Sequence, residues 1–363
     1  MIFITALIVT TVAGMFIVRL RPLLFLPNAV ARNDLRARQA SHIGEPLRLG
    51  GIAVFIGLGI GVMFAPLGGD RGLILLILLS VMPVLLAGFA EDMGYRISPT
   101  RRLIAAVVSA LVAVVLLNLW VPRADLPVID WIMSSPIIAI ALTILLSGGF
   151  CHAVNLIDGT NGFAAVNMIM SATGLALIAK FSGETAIATF AWLIVACLAG
   201  FLVLNWPVAS LFLGDGGAYG IGHVVIWVAI VLVARVDDLA VPALLLILFW
   251  PLADVFHTIV RRLIGRQPAF QPDRMHLHHK VRRGLDLAFF GYNARSKSNP
   301  RTIVVLAPFM AVPVIAGVVL SSQPHFAWGA LAVCLCAFAL AHRMASKLAR
   351  RYRKDNRHFA HLK

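Results

Sequence analysis

Glu91-Asp92, Asp158 and Asp215 all stand at the ends of long apolar runs. A carboxylate at membrane depth costs about 2.5–3.5 kcal/mol on insertion scales unless it is solvated or paired. Several such acids on one membrane face suggest a shared use, and holding a divalent cation is the simplest. Adjacent carboxylates such as Glu91 and Asp92 repel, so the pair needs a cation or a shared proton. A surface ion-pair network with Arg96, Arg101 and Arg102 is the plain alternative. Asp215 lies in Gly214-Asp-Gly-Gly217. Glycines there let backbone approach a bound group and leave N–H donors for phosphate oxygens. A solvated turn before the next apolar run would read the same way.

Asn155, Asp158 and Asn161 are spaced three apart in Asn155-Leu-Ile-Asp-Gly-Thr-Asn-Gly162. On a helix they share one face, where two carboxamides and an acid can grip a base, a sugar or a metal. The Asp-Gly and Asn-Gly pairs predict turns instead. His276, His278 and His279 fall in Met275-His-Leu-His-His-Lys280. No Cys or Glu stands at ligand spacing, which weakens a zinc reading. Arg274, Lys280, Arg282 and Arg283 around them suit an anion cradle for a diphosphate, with a basic juxtamembrane loop as the alternative. Asp254, inside an apolar run, is suspect because of the cost of burying it, and Arg261 or Arg262 is its simplest partner.

The elements that must position these groups are membrane helices. The chain has 363 residues and is 60% hydrophobic. Hydropathy predicts about eleven spans, near 2–18, 50–67, 72–90, 103–121, 136–150, 163–180, 185–204, 217–234, 240–258, 302–320 and 325–342. Their lengths approach the ~20 residues that cross a bilayer, and in hydrocarbon the backbone must satisfy itself, so they are helices. The expected architecture is all-α and polytopic, one membrane domain over 1–343 followed by a basic tail over 344–363. The motifs fall in loops 19–49, 91–102, 151–162, 205–216 and 259–301. Met1-Ile-Phe-Ile lacks the basic leader of a cleavable signal, and Arg19 and Arg21 follow the first span. The N-terminus is therefore expected outside and the C-terminus in the cytoplasm. On that topology 27 of the 31 lysines and arginines are cytoplasmic, leaving Arg71, Arg123, Lys180 and Arg235.

The net charge of +15 is spread along this rim, where anionic lipid headgroups account for it, so no nucleic-acid partner is expected. The four cysteines form no Cys-x-x-Cys and point to neither zinc nor disulfides. A transporter needs polar groups near the midplane. Clustering at one rim suits phosphoryl transfer on a lipid headgroup, with a secondary transporter or a non-catalytic membrane scaffold as the reading from another class.

The ordered motifs resemble those of the polyprenyl-phosphate N-acetylhexosamine-1-phosphate transferases (glycosyltransferase family 4) over roughly residues 40–280. The resemblance implies transfer of a sugar 1-phosphate from a UDP-N-acetyl-sugar to polyprenyl (undecaprenyl) phosphate with release of UMP, starting a cell-envelope glycan. The Pro272-Asp-Arg-x-His form is similar to the GlcNAc-1-phosphate branch, with phospho-N-acetylmuramoyl-pentapeptide transferase as the alternative. It implies Mg²⁺, with Mn²⁺ in its place as a variant, on Asp215 and Asp158. The implied catalytic residues are Asp92, Glu91 and Asp215. The implied substrate-binding residues are Asn155, Asp158, Asn161, Arg48, Arg274, His276, His278 and His279. The expected setting is the bacterial inner membrane, among its lipids, with the active site on the cytoplasmic face and a homodimer left open. Three positions depart from the family pattern. Glu91 replaces an Asp, Asn161 replaces an acid, and Ala218 replaces a Ser after the metal aspartate.

Overall fold

The computed structural model describes residues 1–20, 47–266, 275–290 and 295–360, the side chains of 295 and 349–360 excepted. Among the described residues the protein is all-α, with one two-residue parallel bridge, Leu47 to Leu211. The helices are α1 (Ile2–Arg19), α2 (Gly50–Phe64), α3 (Arg71–Ser80), α4 (Met82–Asp92), α5 (Pro99–Leu117), α6 (Pro127–Met133), α7 (Pro136–Ile157) and α8 (Phe163–Phe181). There follow α9 (Thr185–Asn205), α10 (Gly214–Arg235), α11 (Val241–Ile247), α12 (Phe249–Ile264), α13 (Leu277–Leu285), α14 (Arg295–Val319) and α15 (Pro324–Ala360). Each of the eleven expected apolar stretches coincides with one helix or one helix pair. Among the described residues, nine helices or helix pairs are long and apolar enough to cross a membrane, ten if the bent pair α11–α12 counts as one span, and α2 is a shorter apolar helix. The protein is a polytopic membrane protein.

Helix α10 is the axis of the bundle. It is buried all round, and α2, α4, α7 and α8 pack against it. Glycine makes its N-terminal turns approachable. A Cβ on Gly51 of α2 would lie 2.3 Å from the Cα of Gly217, and one on Gly88 of α4 would lie 2.4 Å from the Cα of Gly216. Backbones this close require glycine, as at other tight crossings of membrane helices.

Two expectations need correction. The stretch 240–258 is not one straight span, because α11 and α12 meet at 87°. Pro251 lacks the N–H that would bond the Ile247 carbonyl, and its ring clashes with that carbonyl. The freed Ile247 carbonyl accepts the Ser171 hydroxyl at 2.9 Å. The segment 259–301, read as a loop, carries the end of α12, all of α13 and the start of α14.

At the rim away from the motifs, three of the four basic residues assigned there are bound locally. Arg235 bridges Asp70 at 2.8 Å and Glu184 at 3.1 Å. Arg123 meets Asp125 at 2.9 Å. Arg71 donates to the Val62 and Ala65 carbonyls at 2.6 and 2.8 Å. These charges tie interhelical turns together.

Candidate active site

Asp92 and Arg102 stand at the unfavourable ends of their helices. Asp92 lies in the last turn of α4, where carbonyls already concentrate negative charge, and Arg102 lies in the first turn of α5, beside unpaired N–H groups. Ser98 builds that first turn. Its hydroxyl accepts the Arg101 N–H at 3.3 Å, and Pro99 supplies a fixed φ at the first helical position. Each misplaced charge, worth about 0.3–1 kcal/mol against the dipole, finds its compensation at the start of α10.

Asp92 Oδ1 accepts the backbone N–H of Asp215 and Oδ2 that of Gly216, both at 2.9 Å. The Asp92 carboxylate is thus the cap of α10. Asp215, in the first turn of α10, meets Arg48 Nη2 at 2.5 Å and pairs through its other oxygen with Arg102 Nη1. Arg48 Nε also stands 3.5 Å from Asp92. Both carboxylates are buried and both guanidinium groups reach the surface. Arg48 is brought there by backbone pairing. Phe212 N–H donates to the Leu47 carbonyl at 2.8 Å, and Gly50 and Gly51 donate to the Phe212 and Leu213 carbonyls at 2.8 and 2.9 Å. The glycine break was expected to leave its N–H groups for phosphate. The N–H groups of Asp215 and Gly216 go to Asp92 instead.

Asn155, Asp158 and Asn161 do not share a helix face. Helix α7 ends at Ile157, Asp158 is its cap with ψ of 72°, and the turn closes at Gly162 with φ of +74°. Asn155 donates to the Tyr219 hydroxyl at 3.0 Å. Asp158 accepts from the Gly214 backbone, which brings it beside the Asp92–Asp215 pair. Burial pushes its carboxyl up to about 7; Arg48 opposes the rise and Asp215 adds to it. Asn161 faces the other way. It exchanges two 3.0 Å hydrogen bonds with Asn299 and donates to the Pro207 carbonyl at 2.8 Å. Glu91 Oε2 accepts the Ile97 N–H at 2.7 Å and closes the turn between α4 and α5.

His276, His278 and His279 are buried at the start of α13. The His278 ring lies 4.8 Å from that of Phe163, the first residue of α8, so this cluster abuts the Asn155–Gly162 turn. Neither His278 nitrogen has a hydrogen-bond partner among the described residues, and burial holds this imidazole well below its ordinary pKa. His276 Nδ1 is 2.6 Å from Asp254 Oδ2, so the partner of Asp254 is His276 and neither Arg261 nor Arg262. Arg274 lies outside the described residues.

Among the described residues, no three His, Cys, Asp or Glu side chains are arranged to hold a metal ion by themselves. The donor chemistry nonetheless fits Mg²⁺. Asp215 and Asp158 offer hard oxygen ligands, and Mg²⁺ takes one or two carboxylates with the rest from water and substrate phosphates. The two arginines on Asp215 mark it as a place where positive charge is held.

Residues 74–233 match the family model for glycosyl transferase family 4. Over this stretch, which is less than half of its length, the chain is similar to glycosyl transferase family 4. The family region runs from α3 to near the end of α10 and includes Asp92, Arg102, Asn155, Asp158 and Asp215. Among curated relatives, a probable undecaprenyl-phosphate N-acetylglucosaminyl 1-phosphate transferase of Bacillus subtilis is 27% identical over 235 residues, 64% of this chain and 65% of that protein. An undecaprenyl-phosphate alpha-N-acetylglucosaminyl 1-phosphate transferase of Salmonella typhi is 27% identical over 311 residues, 82% of this chain and 79% of its own. A decaprenyl-phosphate N-acetylglucosaminephosphotransferase of Mycobacterium tuberculosis is 26% identical over 274 residues, 66% of each chain. The match thus spans about two thirds of the Bacillus and Mycobacterium proteins.

Tyr219 on Asn155 and Asn299 on Asn161 complete the geometry and were not singled out from sequence, while Arg102, read as an ion-pair partner of Glu91-Asp92, pairs with Asp215 instead.

Proposed function

We propose that this protein transfers an N-acetylhexosamine 1-phosphate from a UDP-sugar to polyprenyl phosphate, releasing UMP. The carrying observation is the centre where Asp92, Asp215, Arg48 and Arg102 meet at one end of the bundle, with Asp158 beside them. The relatives' names point to N-acetylglucosamine 1-phosphate as the first group to test.

In this reading an oxygen of the lipid phosphate attacks the β-phosphorus of the UDP-sugar. The bond from that phosphorus to the bridging oxygen breaks, and UMP leaves with the electron pair. A phosphate monoester with a second pKa near 6 is already dianionic at neutral pH and scarcely needs a base. Asp92, with both oxygens on the cap of α10, therefore orients the centre. Arg48 and Arg102 reach the surface from Asp215 and supply donors for the diphosphate as charge builds on its oxygens. Mg²⁺ on Asp215 and Asp158 would supply Lewis-acid neutralisation of the diphosphate. Asn155 and Tyr219 form a polar edge for the nucleotide. His276, His278 and His279 bring ring nitrogens for phosphate oxygens. We assign the centre to the cytoplasmic leaflet of a bacterial inner membrane, on the basic-residue bias.

The test is to incubate purified protein with polyprenyl phosphate, Mg²⁺ and a panel of UDP-sugars, following UMP. Release that requires both lipid phosphate and one UDP-sugar supports the reading. No release with any sugar, or solute uptake into vesicles without UMP, ends it.

A further inference from the structure

A second buried polar network lies behind the histidine cluster, and its far end is on the last helix. Asp254 of α12 is fully buried. Its Oδ2 is 2.6 Å from His276 Nδ1, and its Oδ1 faces His342 Nε2 of α15 at 3.8 Å. His342 Nδ1 is 2.8 Å from the Lys280 ammonium, which also donates to the Ser346 hydroxyl at 2.8 Å. The His257 ring stacks on His342 at 3.8 Å. Three helices, α12, α13 and α15, thus converge on one carboxylate.

The partners assign the protons. An ammonium only donates, so His342 Nδ1 accepts and the neutral ring carries its hydrogen on Nε2, facing Asp254. An ionised carboxylate only accepts, so His276 Nδ1 carries a hydrogen. The 2.6 Å contact is short, as charge-assisted bonds are. The 3.8 Å step from Asp254 to His342 is longer than a direct hydrogen bond, so the ring faces the second carboxylate oxygen as a close polar neighbour. Both atoms of that step, Asp254 Oδ1 and His342 Nε2, are buried without another partner.

We propose that Asp254 and His342 are positioning residues that hold His276 with its Nδ1 protonated toward Asp254, so that it meets phosphate as an imidazolium donating through Nε2. This rests on the transferase reading for the phosphate, and on the geometry alone for the ring. Lys280 and Ser346 fix His342, and His342 fixes the second oxygen of Asp254. The carboxylate then stays ionised and aimed at His276. The last helix, which lies beyond the family region, therefore reaches the substrate site through one buried acid. The other titratable and charged groups around the pair are His257 and Arg261 on α12, and His278, His279, Lys280 and Arg282 on α13.

Two measurements test this. The first is the pH profile of kcat/KM for UMP release. Asp254→Asn keeps the hydrogen bond but removes the charge that stabilises the imidazolium. Its alkaline limb is expected to move down by a unit or more, with KM for the nucleotide sugar raised. His342→Gln, whose amide can both accept from Lys280 and donate toward Asp254, should keep activity within about threefold. His342→Leu, of similar volume, should lose tenfold or more. Equal activity of the Gln and Leu variants, or an unmoved limb in Asp254→Asn, would overturn the proposal. The second measurement needs no turnover, and so separates this inference from the transferase reading. Solid-state NMR of ¹⁵N-histidine protein in lipid, with His276 assigned by His276→Gln, should show a protonated Nδ1. A ring protonated only on Nε2 would overturn the proposal even in an active enzyme.

Discussion

Asp92 Oδ1 accepts the amide hydrogen of Asp215 at 2.9 Å, so one acid caps the helix that carries the other. The two carboxylates come from α4 and α10, 123 residues apart, and neither can shift without the other. This separates two effects that mutation of a single acid would mix. Asp92→Ala removes the cap and should cost about 0.5–2 kcal/mol of stability. Asp92→Asn keeps one acceptor oxygen and should unfold closer to wild type while still losing turnover, because Arg48 loses a charge partner. Asp215→Asn should leave the cap intact and lower turnover by roughly 10²–10³, the ~3–4 kcal/mol of a lost transition-state contact. Thermal unfolding alongside UMP release checks all three. A wild-type melting temperature in Asp92→Ala would remove the capping role, and wild-type turnover in Asp215→Asn would remove Asp215 from the mechanism.

The acids were legible in the sequence because burying a charge is costly enough to show. Asp92, Asp158 and Asp215 stood out from apolar runs, and the same contrast located the helices. The bend at Leu248 was legible in principle, since Pro251 stands four residues after the carbonyl it frees. His342 was not. It sits in a helix whose end is dense with Arg and Lys, and its role depends on α15 packing over α13, a long-range contact with no local signature. The three-residue spacing of Asn155, Asp158 and Asn161 was a helix signal overridden by the local preferences of Asp-Gly and Asn-Gly, which put Asp158 and Asn161 on different partners.

Asp158 gives the centre a pH dependence with a definite sign. Its carboxyl is raised to about 7 in the folded protein, against about 3.9 in an unfolded chain. Without metal, the folded state holds this proton through a window where the unfolded state has released it. That contribution to stability is full below about pH 4 and is lost as pH rises toward 7. A divalent cation needs the ionised form, so its binding displaces the proton. Apparent Mg²⁺ affinity should therefore rise between pH 6 and 8, by up to about tenfold per unit on the acid side. The Mg²⁺ concentration for half-maximal UMP release, measured at pH 6, 7 and 8, reads this directly. Asp158→Asn should flatten the slope, and a slope unchanged in that variant would take Asp158 out of the metal site.

The charge on the two rims carries the proposed orientation in the membrane. On the rim away from the acids, Arg71, Arg123 and Arg235 are each neutralised or bound locally. On the expected topology the surplus of lysine and arginine falls on the other side, and the cytoplasmic side holds such a surplus. A phosphatase reporter that is active only in the periplasm, fused after residue 343, should be inactive, and one fused before Ile2 should be active. The reverse pattern would turn the protein over and put the acid centre outside.

Asn161 stands where the resembled family carries an acid, and its surroundings explain why an acid does not suit this chain. Its Nδ2 donates to the Pro207 carbonyl at 2.8 Å, and its Oδ1 accepts from Asn299 Nδ2 at 3.0 Å, while its own N–H donates to Asn299 Oδ1. An Asp here keeps the second bond and loses the first, leaving a carboxylate oxygen against the Pro207 carbonyl. Asn161→Asp should therefore destabilise the protein by about 1–3 kcal/mol, with no gain in metal affinity. Asn299→Ala removes the partner from the other side. Because the two amides form one unit, the double variant Asn161→Ala/Asn299→Ala should cost less than the sum of the single Ala variants. Additive losses in thermal unfolding would mean the two act separately. A tighter Mg²⁺ response in Asn161→Asp would return this position to the metal site.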